Sequence, residues 1–303
     1  MAEPPDAGIA AHYGDPYREQ RGFAAALVDL SHRPVIAVKG PDRLSWLHSL
    51  TSQHLSELGV DRQTEALVLS PQGHVEHHLQ LVDDGTTLLA HLEPGTAPDL
   101  LQFLDKMRFM LRVEVADVTA EWAVVQRGGT WEPVPRATLG SYDGPLAGLL
   151  ASEAFRIEAR RPRQGLDTDH RTLPHEVGWL RSAVHLDKGC YRGQESVARV
   201  HNLGRPPRRL VLLHLDGSDS TLPAVGSAVT VAGREVGRMG TSARHHELGP
   251  IGLALIKRQV PDDAVLLTDG IAAAIDPVTE PDVPPSAARA AAAARAGLLR
   301  LPR

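Results

Sequence analysis

The chain has a single cysteine, Cys190, in 303 residues, and that limits what can hold it together. A lone thiol forms no internal disulfide and cannot supply a multi-cysteine metal or cluster site. The fold must therefore rest on burial of apolar side chains. Hydrophobic residues at 42% and charged residues at 23% are ordinary values for a globular protein. Aromatics are only 4%, so alanine, leucine and valine fill the interior. The length exceeds what one small core needs and predicts two or three compact units. A formal net charge of −5 argues against bulk nucleic-acid binding. Residues 1–20 hold Pro and Asp but no apolar run, which predicts no signal peptide. No stretch reaches the roughly 18 apolar residues of a membrane helix. A cytoplasmic protein without membrane contact is expected.

Residues 1–20 read as a flexible arm. A first unit, 21–120, interleaves strands and helices. Residues 35–38 form a buried strand closed by Gly40-Pro41, and Asp42 is a helix cap before apolar residues at helical spacing. Residues 66–70 and 75–82 flank Pro71-Gln72-Gly73 as a hairpin. Leu100, Leu101, Leu104, Met107 and Met110 share one face of a helix over 98–111, and 112–118 alternates as a strand. A second unit, 121–207, follows. Beyond Arg208 the pattern changes to short apolar runs (210–215, 228–231, 236–239, 251–257 and 264–267) split by Gly, Pro and Asp. These predict a small β-barrel over 208–278. The tail, 279–303, is rich in Ala, Arg and Pro; 287–300 is compatible with a helix, and no role is assigned to it. The fold class is α+β with mixed or antiparallel sheets.

Chemistry concentrates around Cys190, in Lys188-Gly189-Cys190-Tyr191-Arg192-Gly193-Gln194-Glu195, with Arg199 four residues on. Thiols react as thiolates, and neighbouring cations favour that form. Gly189 and Gly193 let a ligand or partner approach the backbone, and Gln194 and Glu195 offer directional hydrogen bonds. Between Arg156 and Arg209 there are 12 cations and 6 anions, an island that can attract an anionic partner. Only Trp179 and Tyr191 interleave it, too few for base stacking on RNA.

The motif Lys-Gly-Cys-Tyr-x-Gly-Gln-Glu-x-x-x-Arg resembles the signature of YgfZ-type folate-binding proteins. These are relatives of the glycine-cleavage T-protein (aminomethyltransferase) and are associated with iron–sulfur cluster assembly or repair. The resemblance extends over about 22–270 and is most specific over 153–210. Asp29-Leu30-Ser31-His32 is similar to the T-protein's Asp-x-Ser-His, Arg156-Ile157-Glu158 to its Arg-x-Glu, and Leu173-Pro174-His175-Glu176 to a Leu-Pro-x-Glu element. It implies a three-part fold with a central folate cleft holding tetrahydrofolate or a one-carbon derivative. Glu158 would accept from the pterin edge as a two-pronged acceptor. Arg156, Lys188, Tyr191, Arg199, Asp29 and His32 would complete the folate site, with Cys190 as the reactive thiol. The partners implied are iron–sulfur enzymes or assembly proteins, with no direct tRNA binding despite the family's link to tRNA modification.

One departure weakens the transferase expectation. The T-protein carries an Asp pair on the strand after the equivalent of Gly73, whereas here the run is His74-Val75-Glu76-His77-His78. An imidazole does not stabilise a developing ammonium as a carboxylate does. His77 and His78 should face opposite sides of a strand, and no metal site is expected from them. Three alternatives stay open: an aminomethyltransferase moving a one-carbon unit to tetrahydrofolate, a non-catalytic folate-binding scaffold, and a tRNA-binding modification factor, whose affinity would fall steeply with salt.

Overall fold

The computed structural model describes residues 1–218 and 221–277; the tail expectation lies outside the described residues. After α1 (Pro16–Arg21) and β1 (Leu27–Asp29) come β2 (Val35–Lys39), α2 (Arg43–Leu50), β3 (Thr64–Leu69), β4 (Val75–Asp83), β5 (Thr87–His91), α3 (Ala97–Arg108) and β6 (Glu114–Asp117). The second stretch holds β7 (Trp122–Arg127), β8 (Thr130–Pro135), β9 (Leu146–Ala147), α4 (Leu149–Glu158), α5 (Trp179–Ser182) and α6 (Gln194–Leu203). Six strands follow: β10 (Arg208–Leu215), β11 (Ala228–Val231), β12 (Arg234–His245), β13 (Gly249–Lys257), β14 (Val265–Thr268) and β15 (Ile271–Ile275).

Three sheets result. An antiparallel sheet has the order β3-β4-β5-β2-β6; a mixed sheet, β8-β7-β1-β9, contains the parallel pair β1–β9; the last six strands close into a barrel. Alternation along the strands assigns the faces of the first sheet. Ile36, Val38, Ala66, Val68, Leu79, Leu81, Leu88 and Ala90 pack under α2 and α3 with Leu47, Leu100 and Leu104. The opposite face is divided. Its β2–β5 half, with Val35, Ala37 and Leu89, meets the mixed sheet and α4. Its β3 half, with Leu67 and Leu69, meets Trp179, Tyr191, Val197 and the barrel's Leu255. The mixed sheet, α4, the Trp179–Val197 stretch and the barrel therefore all meet the same side of the first sheet.

Some local expectations changed under tertiary competition. Asp42 takes the N-cap position of α2 but makes no side-chain capping bond; its carboxylate accepts instead from the Arg112 backbone N–H (2.9 Å) and from Arg112 Nε (3.1 Å) and Nη2 (2.8 Å), because a charged guanidinium is the stronger donor. The helix expected to reach residue 111 ends at Arg108. Phe109 takes a positive φ of 45°, and Phe109 and Met110 turn out to solvent. The barrel's sixth strand, β15, is Ile-Ala-Ala-Ala-Ile, of low intrinsic strand preference; pairing with β14 and β10 on either side supplies the order.

The N-terminal arm is pinned at two points. Of residues 1–15 only Asp6 and Ile9 are buried. Ile9 joins the core between the mixed sheet and α4. The Ala10 and Ala11 carbonyls accept from the first amides of α4, Leu149 and Leu150 (both 3.0 Å).

Candidate functional site around Cys190 and Glu158

The Cys190 loop is built on the β3–β4 turn. Gly73 (φ +80°) and Gly193 (φ +83°) meet almost backbone to backbone. A Cβ on Gly193 would lie 2.5 Å from the Ser70 carbonyl oxygen and 3.1 Å from Gly73 Cα. Both the left-handed backbone and this contact require glycine. Gly193 then starts α6, while Tyr191 is buried among Val75, Val177 and Val197; burial pushes its phenol up to about 12. Cys190 stands exposed beside that anchor as a free thiol, and a Cβ on Gly189 would meet nothing within 4 Å. The loop is fixed on both sides, and the thiol is presented outward.

Lys188 is the second anchor. It is buried, and its Nζ donates to the carbonyls of His48, Thr51 (2.5 Å) and Gln53 (3.1 Å). These carbonyls lie at and just past the C-terminal end of α2, where a helix leaves acceptors unpaired and favours a cation. Burial pulls the ammonium down to about 8, so it stays mostly charged at neutral pH. Its Nζ also lies 5.0 Å from the Tyr191 ring centre. The charge is therefore engaged inside the protein. Three histidines border this corner, with ring centres 4.7 Å apart for His48 and His54 and 5.2 Å for His54 and His185.

Other motif residues sit outside the loop's core. Arg192 forms a two-pronged pair with Glu76 (2.9 and 3.1 Å) and lies over the Phe103 ring at 5.7 Å. Gln194 donates to the Lys188 carbonyl (3.3 Å). Glu195 and Arg199 form an exposed pair at 3.5 Å one turn apart on α6, worth little in stability.

Glu158 lies elsewhere, at the end of α4. Its half-exposed carboxylate is 3.4 Å from Nε2 of the buried His245 on β12. Arg156, two residues earlier, turns inward, donating to both Glu153 oxygens (3.0 and 2.7 Å), to Asp167 (3.0 Å) and to Thr241 (2.5 Å). Burial raises the pKa of Glu153, but the charges of Arg156 and Arg163 outweigh it and bring it to about 2. Arg163 belongs to the same buried network. It donates through Nε to Glu93 (2.8 Å) and through both Nη atoms to Asp6 (2.8 and 2.6 Å). His32 Nε2 is 2.8 Å from that Asp6 carboxylate. Asp29 Oδ1 accepts from the Ser31 amide (2.8 Å).

The structure thus brings Lys188, Tyr191, Gly193 and Gln194 together with Cys190, and His32 together with Asp6. Glu158 faces the barrel's His245, whereas the loop that carries Cys190 is built on the β3–β4 turn. The basic island is largely neutralised. Arg156, Arg160, Arg163, Arg192, Arg199, Arg208 and Arg209 all have carboxylate partners. Acids outside the 156–209 window, such as Asp6, Glu93 and Asp276, supply many of them. Leu-Pro-x-Glu has a structural use: the buried Glu176 accepts from the Leu173 amide (2.9 Å) and from Arg208 (2.9 and 2.8 Å). His77 and His78 do face opposite ways. His77 is buried on the helix-covered side, where burial lowers it to about 4. His78 stacks on Trp179 with ring centres 4.4 Å apart. Among the described residues no group of three or more His, Cys, Asp or Glu could hold a metal ion. Sequence reasoning missed Asp6, Glu93, Glu153 and Asp167; the only local signal was the three-residue spacing of Glu153 and Arg156.

The architecture is that of the aminomethyltransferase T-protein. The glycine cleavage system aminomethyltransferase T of Bartonella henselae has the same fold, with a TM-score of 0.75 over 89% of this chain and 91% of that one, at 15% identity. No protein-family model matches the chain. By sequence it is similar to a chloroplastic Arabidopsis thaliana protein named as a transferase, 24% identical over 286 residues, covering 77% of this chain and 65% of that one. It is also similar to the mitochondrial iron-sulfur cluster assembly factor IBA57 homolog of Mycosarcoma maydis, 26% identical over 230 residues, 62% of this chain and 56% of that one. An aminomethyltransferase of Moorella thermoacetica is 27% identical over 290 residues, 77% of this chain and 78% of that one. The chain spans less than two-thirds of the plant and fungal proteins. No helix among the described residues is long and apolar enough to cross a membrane.

Proposed function

We propose that this protein binds tetrahydrofolate, or a one-carbon derivative of it, and supports assembly or maintenance of iron–sulfur clusters, with Cys190 as its reactive group. The observation that carries the reading is the Cys190 loop. Lys188, Tyr191 and the Gly73–Gly193 contact hold it rigidly, yet the thiol itself is exposed. A structural cysteine is ordinarily buried; an outward thiol on a fixed loop suits encounter with a partner's thiol or cluster. Similarity to a cluster assembly factor supports that direction.

The residues available for folate are narrower than the motifs suggested. Glu158 fits: its carboxylate is half-exposed with one long contact to His245, leaving acceptor capacity for a paired N–H edge. Arg156 and Lys188 are committed to internal partners, so their part is to position α4 and the loop. Bound tetrahydrofolate would supply a one-carbon carrier. Against the transferase alternative, Glu76 of the His74–His78 run is engaged by Arg192, and His78 is engaged by Trp179.

The test is replacement of Cys190 by Ser in cells lacking the native gene, with activity of an iron–sulfur enzyme as readout. The proposal predicts loss of that activity with unchanged protein level. Full activity would favour the scaffold reading, and folate-dependent methylene transfer by purified protein would favour the transferase.

A further inference from the structure

The N-terminal arm is held by little, yet one of its two anchors enters a polar site built from the body of the protein. Asp6 receives both Nη atoms of Arg163 (2.8 and 2.6 Å) and lies 2.8 Å from His32 Nε2. Three donors converging on one carboxylate, two of them a guanidinium fork, is the geometry that selects carboxylates. Arg163 is 2% exposed. It does not depend on Asp6 for its position, because Glu93 holds its Nε at 2.8 Å from the other side and Glu153 stands 3.5 Å away.

Charge bookkeeping shows what departure of the arm would cost. Without Asp6 the network keeps the cations Arg33, Arg156 and Arg163 and the anions Glu93, Glu153 and Asp167. These arginines and carboxylates are equal in number and Arg163 keeps Glu93, so opening leaves no arginine buried without a counter-charge, the usual large penalty for breaking such a pair, while His32 loses the carboxylate it faces. The remaining hold is Ile9 in its apolar niche with Ala2 packed against the same core, the two backbone bonds from Leu149 and Leu150, and the close approach of Ala11 to Gly148. Segments with so few buried contacts open at low free energy.

We propose that Arg163 and His32 form a carboxylate-binding site that the chain's own Asp6 fills, and that residues 2–11 are a displaceable latch over it. A ligand carrying a carboxylate competes with Asp6 for the fork, and its binding frees the latch. The apparent affinity is then reduced by the small fraction of molecules with the latch open. This proposal shares only His32 with the folate reading and stands if no folate binds.

Glutarate at constant ionic strength, with chloride as the control anion, tests it. Calorimetry gives the affinity, and amide hydrogen exchange reports residues 2–11. Asp6→Asn removes the competing charge, while Ile9→Ala loosens the latch without touching the site. Each variant should bind glutarate about tenfold more tightly than wild type, and glutarate but not chloride should speed exchange of residues 2–11 in wild type. The proposal is overturned if both variants bind no more tightly than wild type, or if chloride acts as glutarate does. Should Asp6→Asn fail to fold, Ile9→Ala decides the matter alone.

Discussion

Replacing Lys188 by Met isolates what the motif lysine does. The methionine keeps most of the stem volume but deletes the ammonium that serves the carbonyls of His48, Thr51 and Gln53. A buried acceptor left without its donor costs about 1–3 kcal/mol. The Thr51 acceptor is buried and those of His48 and Gln53 are part-buried, so the three total roughly 3–6 kcal/mol, from which part of the cost of desolvating the ammonium is recovered. The net loss should be about 2–4 kcal/mol. For a chain of this size about 2 °C of melting temperature accompanies each kcal/mol, so calorimetry should show a drop of roughly 4–8 °C. The damage should also be local. Loop 188–191 loses its tie to α2, and the labelling rate of Cys190 by a thiol-specific disulfide reagent should change severalfold. An unchanged melting temperature together with an unchanged labelling rate would refute the anchoring role, and would return Lys188 to the role of an available charge for a ligand.

Two further effects follow from the same geometry. Gly193→Ala meets both an unfavourable φ of +83° and the Ser70 carbonyl at 2.5 Å. A loss of about 2–4 kcal/mol is expected by urea unfolding, against about 1 kcal/mol or less at Gly189, where space is open. His77 is held neutral by burial, with its pKa lowered from 6.5 to about 4. Between those values the unfolded chain binds the proton and the folded one does not, so stability falls as pH drops from 6.5 toward 4, by up to about 1.4 kcal/mol per pH unit. His175, likewise lowered by burial to about 4, adds to the same window. His77→Leu should flatten the profile of urea midpoints there, and an unaltered slope would contradict the assignment.

The legible parts of this chain were those written locally. The β3–β4 hairpin around Pro71-Gln72-Gly73, the α3 periodicity as far as Leu104 and most barrel strands show in spacing alone, because alternation and helical repeat report which face is buried; Met107, expected on that face, is exposed. The Cys190 loop stood out by composition. What the sequence hid was partnership across long separations. Arg163 looks like one cation in a basic island, but its partners Asp6 and Glu93 lie 157 and 70 residues away. Lys188 looks like a charge beside a thiol, whereas three α2-end carbonyls, 135 to 140 residues earlier, absorb it. Charge counts along a chain overstate the field because they omit acids that the fold brings in from elsewhere. Strand β15 was hidden for a different reason: alanine carries little strand preference, and barrel closure decided its state.

The most direct measurement of the central claim is calorimetric titration with tetrahydrofolate of the wild type, Glu158→Ala and Cys190→Ser. The account predicts binding by wild type and by Cys190→Ser with similar affinity. At micromolar strength, worth about 8 kcal/mol, loss of the Glu158 acceptor should weaken binding by 1.5–3 kcal/mol, roughly ten- to a hundredfold. No heat of binding to wild type, or equal affinity for Glu158→Ala, would contradict it.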